Sequence, residues 1–207
     1  MALLSNEEGE YLVRLARRSI EYWFEKGEYL EDKQAPSKLK EKRGVFVTLN
    51  RYPSMELRGC IGFPYPVYPL VDAVARAAIA AAFEDPRFPP LSRGELSEVV
   101  VEVSALTFPE RIFASSAKEY AERVVVGRDG VIVSYHGRSG LLLPQVAVEQ
   151  GWDSMEFLRH CCFKAFLPAS VLDDPDVEVY KFQAEVFAEE RPGGAVRRVE
   201  LTTRMHR

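Results

Sequence analysis

The chain has 207 residues, 47% hydrophobic and 28% charged, a composition that excludes a disordered tail, a collagen-like chain and a disulfide scaffold and allows a core of ordinary size. No run of 18 uncharged apolar residues occurs, so no membrane span is expected, and the acidic first ten residues argue against a leader peptide. Three cysteines, one of them necessarily unpaired, point to a reducing, cytoplasmic setting. The net charge of −4 argues against nucleic acid as a partner of the whole protein. In the tail, Arg191, Arg197, Arg198, Arg204 and Arg207 stand against Glu200 alone, but the run is sparse and carries no interleaved aromatics, so it reads as a solvated end or docking arm. Asn6 and Asn50 are the only asparagines, and this depletion of thermolabile amides points to a thermophilic source.

In chain order, Ser5 and Glu8 form a capping box, and Leu12, Leu15, Ala16, Ile20, Trp23 and Phe24 follow at three- and four-residue steps, which predicts a helix ended by Gly27. Residues 28–44 are charged, contain Pro36 and read as a loop. Residues 45–50 and 55–62 read as two strands of a hairpin around a turn at 51–54. Residues 63–69 hold three prolines and are expected to run extended over the surface. Residues 70–83 hold seven alanines, with only Asp72 and Arg76 charged, so this helix is expected to be buried and closely approached. Pro86 stops it at Asp85. Residues 97–106 alternate, which predicts a half-solvated strand with Glu98, Glu102 and Ser104 outward. Next come a short helix capped by Ser116, a hairpin about residues 127–130 and a turn at 137–140. Pro144 opens a helix that Gly151 closes, and Asp153 starts another that runs to about Ala165. Residues 180–186 alternate as a half-buried strand, and 196–201 read as a last one. Helices and strands mix without a βαβ rhythm, so the fold class is α+β, a mainly antiparallel sheet flanked by helices.

The most unusual local sequence is Leu57-Arg58-Gly59-Cys60-Ile61-Gly62. Regular alternation puts Glu56, Arg58 and Cys60 on one face of the strand, with Arg58 about 6.6 Å from Cys60. A fixed cation there favours thiolate and lowers the cysteine pKa below its usual value of about 8.5. Gly59 and Gly62 admit a ligand or another backbone, and Tyr65 and Tyr68 offer walls, so a nucleophilic or redox thiol can be built here. The plainer alternative is a packing cysteine, with glycines at a bulge and Arg58 paired to a carboxylate. Asp85 and Arg87 flank Pro86 as turn residues with a local ion pair, or with Arg87 reaching an anion. His160-Cys161-Cys162 superficially suggests a metal site, but adjacent helical residues point about 100° apart and no C-x-x-C pair occurs, so no metal is expected and His160 reads as a surface or satisfied core histidine. Residues 137–140, with Arg138, read as a turn, with an anion-holding nest as the lesser alternative. No phosphate loop, dinucleotide fingerprint or nucleophile elbow occurs.

The hexapeptide resembles the signature of the AMMECR domain family. Asp85-Pro-Arg-Phe-Pro-Pro90 resembles that family's second motif and Glu102-Val-Ser104 the strand after it. Leu142-Leu-Pro-Gln-Val146, Gly151-Trp152, Phe157-Leu158 and Cys162-Phe-Lys-Ala165 resemble its C-terminal helical motif. The likeness covers residues 7–187, with one departure at Phe166-Leu167, where Gly-Leu is more typical of the helix cap. The resemblance implies a single AMMECR-like domain over residues 1–207 in two subdomains, the smaller placed within 60–95. It implies a pathway shared with a Memo-like protein and a radical S-adenosylmethionine protein, without an established activity or cofactor. Cys60 and Arg58 are then the candidate catalytic residues, with Arg87, Tyr65, Tyr68 and Asp85 as candidate substrate contacts. Three readings follow: a cytoplasmic enzyme or pathway subunit, also as a homodimer, using Cys60 as nucleophile or redox thiol; a non-catalytic interaction module docking through the hairpin and the 63–69 loop; and a nucleic-acid-associated protein using its basic tail.

Overall fold

Residues 4–199 are described by the computed structural model. The Ser5–Glu8 capping box is closed at both ends and starts helix α1 (Asn6–Lys26), which stops at Gly27 with φ 67°. Its buried stripe of Leu12, Leu15, Ala16 and Ile20 is the one the spacing predicts. Strands β1 (Val45–Arg51) and β2 (Leu57–Phe63) form the antiparallel hairpin, and helix α2 (Leu70–Phe83) is buried along almost all its length, as its composition requires. Strand β3 (Val99–Leu106) pairs with the other side of β1. With its neighbours the order is β2–β1–β3–β7, where β7 is Glu178–Glu189, and β8 (Val196–Val199) pairs with the end of β7. These elements form a first unit, residues 4–106 with Glu185–Val199.

A second unit, Thr107–Ala184, holds β4 (Glu110–Ile112), α3 (Ala117–Glu122), β5 (Asp129–Tyr135), β6 (Arg138–Leu142), α4 (Pro144–Gln150), α5 (Ser154–Lys164) and the first part of β7. β7 pairs antiparallel with β4 and β5, and β5 with β6. Phe157, Leu158, Cys161 and Cys162 of α5 sit in this unit's core with Val131, Val133 and Val179. The fold is α+β, antiparallel sheet flanked by helices. Residues 60–95, where the resemblance places the smaller subdomain, all belong to the first unit, because β2 and α2 share one core with α1 and β1.

Several local expectations are corrected. β3 is buried on both faces, so Glu102 and Ser104 do not face water. The 28–44 segment is docked: Ala35 and Leu39 enter the core and Arg43 makes a buried ion pair with Glu185 at 2.9 Å. That pair buries Glu185 and Arg17 does the same for Glu189, so alternation fails in β7 beyond Ala184. The turn expected at 137–140 lies one step earlier, at His136 and Gly137, both with positive φ as a two-residue hairpin turn demands. Arg138 is the first residue of β6 and donates to the Phe166 carbonyl, so it covers no backbone nest. No helix of the described residues is long and apolar enough to cross a membrane.

Candidate functional site

The hairpin register decides what the hexapeptide can do. Leu49 stands opposite Gly59, but Asn50 stands opposite Leu57, so Arg58 is the extra residue of a β-bulge. The bulge breaks the alternation that would put Arg58 beside Cys60. Arg58 instead is 1% exposed and clamps the chain downstream of α2. Its Nε donates to Glu95 Oε1 at 3.0 Å, and its Nη2 donates to Glu95 Oε2 at 3.3 Å and to the Pro89 carbonyl at 2.9 Å. Arg58 holds the Glu95 carboxyl down at about 2, with help from the Ser92 N–H. The partner is thus Glu95, not Glu56, and Arg58 is not among the charges acting on the Cys60 sulfur.

Gly59 faces α2 so closely that a Cβ there would lie 2.1 Å from the Ala81 carbonyl oxygen, and one at Gly62 would lie 2.2 Å from that of Val45. Both glycines are required by close backbone approach. With Gly59 turned toward α2, the Cys60 side chain lies on the opposite face of the strand.

β2 ends the sheet order, and the outward backbone groups of Cys60 are capped by side chains. The Cys60 N–H donates to Asp85 Oδ2 at 2.9 Å, and its carbonyl accepts from Arg87 Nη2 at 3.3 Å. Arg87 in turn grips Asp85 with Nε at 2.9 Å and Nη2 at 2.7 Å. This bidentate pair holds the Asp85 carboxyl well below the usual carboxylate range. The turn and the ion pair read from Asp85-Pro86-Arg87 are both present, and they serve to cap a strand edge.

Cys60 itself is partly exposed, and the Thr48 hydroxyl donates to its sulfur at 3.3 Å. Thr48 stands in register with Cys60 on one side and with buried Glu102 on the other, so the three share one cross-strand row. Burial pushes the thiol up from its ordinary value; Thr48 and Arg87 pull it down, and Glu102 and Asp85 push it further up. Arg58 is thus turned to Glu95 and the Pro89 carbonyl rather than to the sulfur, and the cation that favours the thiolate here is Arg87. Thr48 and Glu102 were not identified from the sequence, because their alignment with Cys60 depends on the bulge.

Tyr65 is exposed on the proline-rich loop. Tyr68 packs against Phe63 and under Arg76, and so belongs to the α2 side of the hairpin rather than to the thiol face. In the second unit, His160 stacks on Trp152, with centroids 3.8 Å apart and planes 3° apart, and does not join the buried Cys161 and Cys162. Burial pushes those thiols up to about 12 and about 11. Of the tail arginines, Arg198 pairs with Glu185 at 3.3 Å, and the largely exposed Arg197 lies 3.9 Å from Glu190. Arg204 and Arg207 lie outside the described residues.

Comparison with known proteins finds relatives over nearly the whole chain. The AMMECR1 family model matches residues 13–187. A protein of Methanopyrus kandleri is 54% identical over 96% of both chains, and one of Methanocaldococcus jannaschii is 49% identical over 95% of this chain and 97% of its own. The crystal structure of an uncharacterized protein from Pyrococcus horikoshii superposes with a TM-score of 0.87 at 53% identity, covering 95% of this chain and 98% of that one. These relatives come from thermophilic archaea, in line with the scarcity of asparagine. The chain belongs to the AMMECR1 domain family.

Proposed function

We propose that the face of the β1–β2–β3 layer that carries Cys60 is the substrate site of a thiol-dependent enzyme, or of a subunit in an enzyme pathway, and that Arg87 receives an acidic group of the substrate. One observation carries the reading. Among the polar residues of the two motifs, Cys60 and Arg87 are the ones whose side chains the fold leaves partly open. Arg58 is spent on the clamp and Asp85 on the strand edge, while Gly59 and Gly62 are fixed by close packing. Arg87 commits Nε and Nη2, but its side chain is 53% exposed and Nη1 makes no hydrogen bond among the described residues.

The chemistry follows from the surroundings of the sulfur. At rest it is a thiol, protected from adventitious reaction. The thiolate is the attacking form, and the Thr48 hydroxyl and the Arg87 cation are the groups that stabilise it. Anchoring the substrate's anion on Arg87 places an electrophilic carbon beside Cys60. The setting is cytoplasmic, and a Memo-like protein and a radical S-adenosylmethionine protein are the partners this reading expects. Alkylation of the native protein with iodoacetamide across pH, with adducts located by peptide mass, tests it. Cys60 is expected to be the single modified cysteine, with a midpoint above that of an ordinary cysteine. An unreactive Cys60, or equal labelling of Cys161 and Cys162, contradicts the reading.

A second reading, a non-catalytic interaction module, is favoured by the exposed apolar side chains of Tyr52, Met55 and Leu57 on the hairpin and of Tyr65 and Val67 on the proline-rich loop. In that case Tyr65→Ala weakens capture of a purified Memo-like protein, while Cys60→Ala leaves it unchanged.

A further inference from the structure

Arg76 is the one basic residue of α2, and its surroundings are unusual. Its guanidinium lies over the rings of both Tyr29 and Tyr68, 4.8 and 5.0 Å from their centroids. Asp72 sits one helical turn earlier, exposed and at the spacing of a helical ion pair, yet no salt bridge forms. Two ring contacts outweigh one exposed ion pair, so the cation is drawn to the tyrosines and held there. Trp23 backs Tyr29 at 5.2 Å and Phe63 backs Tyr68 at 5.2 Å, which fixes both rings.

Among the described residues, Arg76 has no hydrogen-bond acceptor or carboxylate partner, and neither tyrosine hydroxyl has a hydrogen-bond partner. The cluster therefore holds a guanidinium fork and two phenolic hydroxyls able to donate, none of them engaged by a protein acceptor among the described residues. Lys42, exposed and bridged through its backbone to Pro69, lies at the N-terminal end of α2, about two turns before Arg76. A preorganised fork of donors between aromatic faces complements an oxyanion carried on an organic framework.

We infer that Arg76, Tyr29 and Tyr68 form a binding site for an oxyanion-bearing ligand, distinct from the Cys60 face because it lies on the α2 side of the hairpin. The guanidinium edge takes two oxygens of a phosphate or carboxylate, and the tyrosine rings cover the apolar part of the ligand.

The test is nuclear magnetic resonance of the arginine Nε–Hε groups in the full chain. Sodium phosphate, phenyl phosphate, acetate and benzoate are titrated separately against sodium chloride at matched ionic strength. The Arg76 signal is expected to move saturably with the phosphates or with the carboxylates, which identifies the source of the oxyanion, and the aromatic member of the pair is expected to bind more tightly. Arg76→Lys keeps the charge and loses the fork, and weakens binding about tenfold or more. Tyr29→Leu, which leaves Arg76 in place, weakens it severalfold. The inference is overturned if the Arg76 signal only follows the chloride control, if all arginines move together, or if Arg76→Lys binds as the parent does.

Discussion

Replacing Arg58 with methionine separates the clamp from any role at the sulfur. The guanidinium makes three charge-assisted bonds, two to Glu95 and one to the Pro89 carbonyl. At about 1.5–3 kcal/mol for a hydrogen bond to a charged group, the gross loss is several kcal/mol. Three features reduce it. Glu95 keeps the Ser92 N–H at 3.0 Å and Arg51 at 3.4 Å. Its side chain is 24% exposed, so water reaches the stranded carboxylate. Arg58 Nη1 is buried without an acceptor, a cost of about 1–3 kcal/mol that the substitution removes. Methionine also refills the volume of the stem. The net destabilisation is then about 2–3 kcal/mol, read from urea unfolding by circular dichroism. The pH midpoint of Cys60 alkylation stays within about 0.3 units of the parent, since Arg58 is turned to Glu95 and the Pro89 carbonyl and not to the sulfur. A stability change under about 0.5 kcal/mol together with a midpoint raised by about one unit refutes the reasoning and returns the arginine to the thiol.

Gly59→Ala drives a methyl group against the Ala81 carbonyl and costs about 2–4 kcal/mol, whereas Gly94→Ala, with open space around it, stays within about 0.5 kcal/mol by the same urea assay. Glu102→Gln removes a negative charge from the Cys60 row and lowers the alkylation midpoint; an unchanged midpoint contradicts the proximity read from the register. Asp85 and Glu95 are held below their unfolded values, so the stability they contribute is full above about pH 5 and is lost progressively as pH falls through the unfolded values toward the lower native ones. Unfolding free energy against pH shows this acid limb, and Asp85→Asn flattens it.

Elements with strong local signals were legible: the Ser5 and Asp153 capping boxes, the alanine-rich helix, and the stops at Gly27 and Gly151. Alternation misled where tertiary contacts override it. Glu102 and Glu185 sit at positions that read as solvent-facing, yet both are buried, Glu185 because Arg43 and Arg198 neutralise it. Of the candidate residues read from the sequence, Cys60, Asp85 and Arg87 lie together at the β2 edge. The partners of Arg58 and Cys60 are hidden by a single bulge, which turns Arg58 to Glu95 and brings Thr48 opposite Cys60. Glycine after Arg58 is consistent with such a bulge but does not fix its register.

The most direct measurement is the ratio of alkylation rates by iodoacetate and iodoacetamide at Cys60, compared with the same ratio for glutathione. If Arg87 receives the acidic group of a substrate beside this thiol, the ratio at Cys60 exceeds that of glutathione and falls back in Arg87→Gln. A ratio equal to or below that of glutathione, unmoved by Arg87→Gln, contradicts an anion-guided thiol site.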